Sequence, residues 1–205
     1  IHHKQNLTEN ISGGFRIEKV SDDNYFSDMS SLISSTSKVN LPQEAYLNYS
    51  SDKLDVNFIA QRYQNLTTTS SPYERLPSLS VNHSDEYENV NGFSSFETEL
   101  SMSLTQFERN HNFVVSSTEK NTTGTRFVIN PSISVPFEKS YGYVKPKLMM
   151  NLRTYELEGG SSNSKSMAIP TLSVDGGIYL DKKLDFGGQS FTQTLEPRIF
   201  YSYTP

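Results

Sequence analysis

The most regular feature of the chain is a two-residue alternation of apolar and polar positions. From Phe96 to Thr105, one side reads Phe96, Thr98, Leu100, Met102 and Leu104, and the other Glu97, Glu99, Ser101, Ser103 and Thr105. A period of two places these sets on opposite faces of an extended strand, whereas a helix would repeat at about 3.6. The run is close to the ~9–11 residues that a tilted strand needs to cross a bilayer. Other segments follow the same rule. Ile11, Gly13, Phe15 and Ile17 alternate with Ser12, Gly14, Arg16 and Glu18; Ala45, Leu47 and Tyr49 alternate with Glu44, Tyr46 and Asn48. Leu54, Val56, Phe58 and Ala60 alternate less cleanly with Asp55, Asn57, Ile59 and Gln61, and Leu79 and Val81 mark a short, weak strand near 76–83. Phe127 and Ile129 continue past Pro131 to Ile133 and Val135, while Leu148, Met150 and Leu152 alternate with Met149, Asn151 and Arg153. Leu172, Val174, Gly176, Ile178 and Leu180 form one face of a strand, and Leu195, Pro197, Ile199, Tyr201 and Tyr203 one face of another. The pattern predicts nine strands and almost no helix.

The links between these segments differ in length. Those at 49–54 and 136–142 are tight, whereas 21–37, 65–75 and 156–166 are long and rich in Ser and Thr. Short turns at one end and long loops at the other are the outer-membrane barrel pattern. Tyr46, Tyr49, Phe137, Tyr141, Tyr143, Tyr201 and Tyr203 adjoin the predicted turns, where rings would sit at the headgroup level as an aromatic girdle. The plainer account is that Tyr and Phe favour strands anywhere. Pro131, Pro146, Pro170 and Pro197 each remove a ladder donor, so bulges or strand starts are expected there.

Composition then explains how such a sheet could be ordered. Hydrophobic residues make up 34%, below the roughly 45–50% of a globular domain, yet aromatic residues reach 12%, all Tyr and Phe. A barrel with a wet interior fits, because only its lipid face must be apolar. The net charge of −5 and pI near 5.4 speak against nucleic acid, which demands a basic stripe. With no cysteine there are no disulfides or thiolate metal sites in these residues. No apolar run is long enough for a transmembrane helix, which leaves a β-barrel open. The opening Ile1-His2-His3-Lys4 carries no signal-peptide pattern, and both ends read as cut from something longer.

Catalytic chemistry finds little support, and the reading is of a protein that is not an enzyme. His2, His3, His83 and His111 form no spaced motif such as HExxH; a metal site from His2 and His3 competes with a simple polar terminus. Glu97 and Glu99 lie about 7 Å apart along one strand face. A carboxylate pair can serve acid–base work, but a lumen-facing or solvated face explains it more simply. The pairs Gly13-Gly14, Gly159-Gly160, Gly176-Gly177 and Gly187-Gly188 form no phosphate-binding loop and read as turns or bulges. Asn6, Asn10, Asn48, Asn65, Asn82 and Asn121 begin Asn-x-Ser/Thr sequons that chance predicts in so polar a chain. No cofactor or metal is implied. Glu196 and Arg198 project from one face, and if Leu195, Ile199 and Tyr201 meet lipid both charges line the lumen. Arg16, Glu18, Glu97, Glu99 and Arg153 are lumen-facing by the same alternation. Charges on the lipid face would cost about 2–4 kcal/mol each at mid-membrane.

Two stretches carry a resemblance. The run from Phe191 to Pro205, containing Thr192-Gln193-Thr194-Leu195-Glu196-Pro197-Arg198 and followed by aromatics, resembles the LptD family of lipopolysaccharide-assembly proteins. Glu18 to Asp28 is similar to a KVSDPSYFND-like stretch earlier in the same barrel, so the resemblance spans about 15–205. It implies an antiparallel transmembrane barrel of roughly 26 strands preceded by a periplasmic jellyroll. It further implies an LptE-like lipoprotein plug in the lumen, an LptA-like periplasmic bridge, lipopolysaccharide as cargo, and a place in the Gram-negative outer membrane. Residues 1–205 would then be part of the N-terminal half of the barrel, with jellyroll, lateral gate and closing strands outside them. Only Leu195–Arg198 transfers residue by residue, with a structural or lumenal role. The competing reading is a soluble secreted β-sandwich or adhesin-like carbohydrate-binding module, motivated by abundant Ser, Thr and Asn and a mean hydropathy of −0.56. A carbohydrate-active β enzyme is a third, but it needs a convergent carboxylate pair in a cleft. What the apolar faces touch separates these readings, since a sandwich packs two sheets about 10 Å apart.

Overall fold

The computed structural model describes residues 1–28, 39–67, 72–88, 95–109, 123–158 and 164–205. The strands are β1 (His2–Asn6), β2 (Ile11–Ile17), β3 (Asn40–Ser50), β4 (Leu54–Asn65), β5 (Glu74–Glu88), β6 (Ser95–Glu108), β7 (Thr123–Ser134), β8 (Phe137–Lys139), β9 (Gly142–Glu158), β10 (Ser164–Ile178), β11 (Leu180–Phe186), β12 (Gln189–Leu195) and β13 (Arg198–Tyr203), with one helical turn, α1 (Tyr25–Asp28). Hydrogen-bonded neighbours run β1-β2-β3-β4-β5-β6-β7-β9-β10-β13, with β8 on β9, and β11 and β12 form a separate two-stranded ladder. This is an all-β architecture, and among the described residues β1 and β13 each have one hydrogen-bonded neighbour, so the sheet is open. The chain divides into two compact units: Ile1–Asn82, Ser101–Val128 and Arg153–Met167 in the first, and His83–Leu100, Ile129–Leu152 and Ala168–Pro205 in the second.

In the first unit, registry sorts side chains into rows, because directly opposed residues share a face. One row runs His3, Phe15, Ala45, Ala60; the adjacent row runs Arg16, Glu44, Gln61. Leu47 opposes Gly13 and Phe58, and Tyr49 opposes Ile11 and Val56, so the apolar side is continuous over three strands. The stretch after β2 closes onto the same sheet. The Gln64 amide clasps Val20 twice, accepting from its N–H at 3.0 Å and donating to its carbonyl at 3.1 Å. Asp22 then accepts from the Asn24 N–H at 3.0 Å, just before the single turn of α1.

In the second unit, β10 and β13 pair from Leu172 opposite Tyr203 to Gly177 opposite Arg198. Leu180 opposite Leu195 continues the same register into β11 and β12, bridged by the Ile178 N–H donating to the Pro197 carbonyl at 3.2 Å. The ladder breaks at Glu196-Pro197, where Pro has no N–H to give.

Burial decides between barrel wall and sandwich. Among the described residues, Leu41, 2% exposed, is the one buried hydrophobic side chain, while Leu47, Phe58, Leu104, Leu148, Val174 and Tyr201 are all exposed. A sandwich would bury the inner faces of two sheets. Within each unit, no second layer covers the apolar side among the described residues.

Several expectations need correction. The described residues form thirteen strands where alternation gives nine, because β1 has no apolar face, β8 is three residues long, and polar residues such as Lys182 and Gln193 break the apolar rhythm of β11 and β12. The weak strand near 76–83 is part of β5, which has 15 residues. The face from Leu195 to Tyr203 belongs to two strands, and the tight link at 136–142 holds β8 and a turn. Pro131, Pro146 and Pro170 lie inside β7, β9 and β10, not at strand starts; each of these strands has enough other ladder bonds to lose one. Gly159-Gly160, His111, Asn121 and much of the long links lie outside the described residues.

Candidate functional site

The chemistry-bearing side chains collect on one side of each unit. In the first, Arg16 and Glu18 pair at 2.5 Å. Glu44 accepts from Gln61 at 2.7 Å, and Gln61 in turn accepts from Arg75 at 2.9 Å. Asn57 donates to Asn48 across β3 and β4, and Ser50 donates to Asp55 at 2.5 Å. A polar belt thus crosses β2 to β5.

In the second unit, the same arrangement forms a ladder of charges. Glu97 accepts from Ser134 at 3.0 Å and pairs with Lys145 at 2.5 Å. Glu99 repeats the motif with Ser132 at 3.2 Å and Lys147 at 2.5 Å. One strand farther, the Arg198 guanidinium grips Asp175 through both of its carboxylate oxygens, the Nε contact being 2.7 Å. The Tyr143 hydroxyl donates to the same carboxylate at 3.3 Å. Asn151 donates to Asn130 at 2.5 Å. Anion and cation alternate over β6, β9, β10 and β13, while the β7 hydroxyls donate to the β6 carboxylates. The Lys147 and Glu99 side chains are 30% and 54% exposed. Pairs this open contribute only about 0–1 kcal/mol each, so the ladder keeps one side wet more than it holds the sheet together.

The opposite side is apolar. Val144, Leu148 and Leu172, with Val174, Ile199, Tyr201 and Tyr203, are all exposed. Val135, Pro146, Leu148, Leu172, Val174, Tyr201 and Tyr203 line a shallow groove of about 510 Å³. Tyr87 stacks on Phe96 with ring centroids 4.7 Å apart.

The residues singled out by alternation fall as follows. Arg16, Glu18, Glu97, Glu99 and Arg198 lie on the polar sides, each with an ionic partner. Glu196 stands in the break between β12 and β13, so Arg198 reaches Asp175 instead. Arg153 is an exposed residue of β9. Tyr49, Tyr201 and Tyr203 are on apolar sides; Phe137 on β8 and Tyr141 in the following turn are exposed. Tyr46 and Tyr143 are on polar sides and lie over glycines. A Cβ at Gly177 would fall 2.7 Å from the Tyr143 ring, and one at Gly14 would come within 2.8 Å of the Tyr46 hydroxyl. An aromatic ring over a strand glycine fills the space its missing side chain leaves. His2 opposes Arg16 and His3 opposes Phe15, so the two imidazoles point to opposite faces and do not converge on one ion. Alternation alone did not single out Lys145, Lys147, Asp175 or Gln61. Their signal is positional, since each sits at a polar phase of its strand.

The predicted ladder effect is specific. Glu97→Lys, facing Lys145, lowers the stability of the full-length protein by about 1 kcal/mol, and adding Lys145→Glu recovers most of it. Denaturant unfolding of both variants measures the recovery, and no recovery in the double variant would mean that the pair is not coupled.

Comparison with known proteins places the chain among relatives. The family model described as "LptD: LPS transport system D" matches residues 1–205. An LPS-assembly protein LptD of Chromobacterium violaceum is 34% identical over 214 residues, covering 99% of this chain and 26% of its own length. One of Aromatoleum aromaticum is 34% identical over 209 residues, covering 100% and 25%. One of Nitrosospira multiformis is 34% identical over 215 residues, covering 99% and 22%. The chain spans about a quarter of the length of these curated relatives.

Proposed function

The chain belongs to the LptD family, and from that premise we propose that these residues are wall and lumen lining of an outer-membrane barrel that delivers lipopolysaccharide to the outer leaflet. The observation that carries the reading is the two-sided single sheet. In each unit one side presents exposed apolar residues, and the other carries paired charges, amides and hydroxyls. A bilayer accepts the first and a water-filled lumen the second. Strands inside the sheet satisfy their backbone groups between neighbours, which is the condition for β structure to cross lipid.

The lumen face would include Arg16, Glu18, Glu97, Glu99, Arg153 and Arg198, to which the structure adds Lys145, Lys147 and Asp175 as partners. The cation–anion pairing at Glu97, Glu99 and Asp175 suits a passage for a large polar, charged saccharide, because paired charges hold cargo less tightly than lone ones. Tyr49, Phe137, Tyr141, Tyr201 and Tyr203 would meet the headgroups. The lipoprotein plug in the lumen, the periplasmic bridge, the jellyroll and the gate belong to the proposal for the whole protein. No residue here is assigned a catalytic role.

The test uses the full-length protein in its own host. Depleting it is expected to reduce surface-exposed lipopolysaccharide, which accumulates in inner compartments, and re-expression restores it. Unchanged surface lipopolysaccharide on full depletion would overturn the reading.

A further inference from the structure

β11 and β12 prolong the β10–β13 ladder without a change of register, so its alternation carries straight through. The side that presents Val174, Ile199 and Tyr201 presents Leu180, Leu184, Phe191 and Leu195 in the hairpin. The opposite side carries Asp181, Lys183, Asp185 and hydroxyl residues. The four apolar side chains are 38–60% exposed, so nothing in the hairpin itself covers them. A two-stranded ribbon is marginally stable alone, and an uncovered apolar side makes it more so.

The place where the hairpin begins indicates what covers it. β10 has 15 residues, more than the ~9–11 that span the hydrocarbon, so it is long enough to cross the band before the hairpin begins. At that point Tyr179 donates its N–H to the Tyr141 carbonyl at 2.9 Å, and its ring lies 6.2 Å from that of Tyr143. Tyrosines gather at the membrane–water boundary of barrels. Pro197 interrupts the ladder at the same level, which lets the ribbon turn away from the wall axis. Lys182 and Gln193 oppose each other on the apolar side between Leu180 and Leu184; a lysine placed so can lay its stem along apolar surface and carry its ammonium to a headgroup phosphate.

We propose that the β11–β12 hairpin lies on the phospholipid surface beside the barrel, with Leu180, Leu184, Phe191 and Leu195 in the headgroup–acyl boundary. The leaflet is the one at the Ser140–Tyr141 turn, the periplasmic leaflet in outer-membrane barrels. The proposal rests on the barrel-wall reading, since the hairpin inherits its apolar side from the wall. An amphipathic element at the interface gains from apolar burial and from cation contact with anionic headgroups.

The experiment places a nitroxide, through an azide-bearing amino acid, at 174, 184, 191 or 192 of the full-length protein. Each labelled protein is put into phosphatidylethanolamine–phosphatidylglycerol vesicles. Collisions with oxygen and with a water-soluble nickel chelate are compared at each site. Expected are oxygen-rich collisions deep in the bilayer at 174, oxygen-rich but shallower ones at 184 and 191, and nickel-rich ones at 192. If 174 reads lipid while 184 and 191 read nickel like 192, the hairpin is in water and the proposal is overturned. If 184 and 191 are shielded from both probes, protein covers the hairpin and the proposal is again overturned. If 174 itself reads nickel, the wall reading fails first.

Discussion

Arginine at position 174 costs the folded protein about 2–4 kcal/mol in a bilayer, whereas arginine at position 173 is tolerated. Val174 opposes Tyr201 on the apolar side of β10, in the groove it shares with Leu148 and Leu172. A guanidinium there must leave water for hydrocarbon, and near mid-membrane it has little length with which to reach the headgroups. Ser173, one residue away, opposes Ser202 and points to the side where Asp175 and Arg198 pair. An extra cation on that side stays in water. Denaturant unfolding of the full-length protein in phospholipid vesicles reads both variants against the parent. Equal destabilisation by the two substitutions would refute the assignment of the faces, because helix-free strands leave the pleat as the only difference between neighbouring positions.

Much of this two-sidedness was legible in the sequence, because a period of two is a direct imprint of the pleat. Phe96 to Thr105 sits in β6 with the faces that alternation assigned. What alternation could not reveal is which strand lies opposite which. Glu97 and Glu99 were placed together on one side, but their cations, Lys145 and Lys147, come from β9, with β7 between them. Alternation puts Arg198 and Glu196 on one face but does not fix a partner; registry supplies Asp175 from β10, a diagonal cross-strand neighbour of Arg198. β1 was missed because His2-His3-Lys4-Gln5-Asn6 has no apolar face, and pairing with β2 makes it a strand. β11 was hidden because Asp181, Lys182 and Lys183 interrupt the apolar rhythm. Tyr46 and Tyr143 show a different limit. Aromatic residues near predicted turns suggested a girdle, but these two lie over Gly14 and Gly177 on the polar sides. Only registry pairs a ring with a glycine on the next strand.

The Gly187-Gly188 turn carries the second large effect. Phe186 opposes Gln189, so these glycines are a two-residue hairpin loop, and their φ values are 62° and 79°. Two consecutive positive φ values define the type I′ turn, whose twist matches that of the strands it joins. A side chain in the left-handed region costs about 1–2 kcal/mol per residue, so Val at both positions costs roughly 2–4 kcal/mol locally. That exceeds what a short two-stranded ladder can supply on its own. The double Val variant is therefore expected to lose the β11–β12 pairing while β10 and β13 stay paired, because Gly177 to Arg198 and the rows beyond do not depend on the turn. Amide exchange in the full-length protein reads this directly, with protection lost from Leu180 to Leu195 and kept from Leu172 to Gly177. Gly187→Asn separates conformation from bulk: Asn tolerates the left-handed region and Asn-Gly favours this turn, so the hairpin keeps its protection. If Asn at 187 abolishes pairing as thoroughly as the two valines, left-handed backbone is not what the turn requires. If the valines leave protection intact, the ladder is held by contacts outside itself, and the lipid surface is the first such contact to probe.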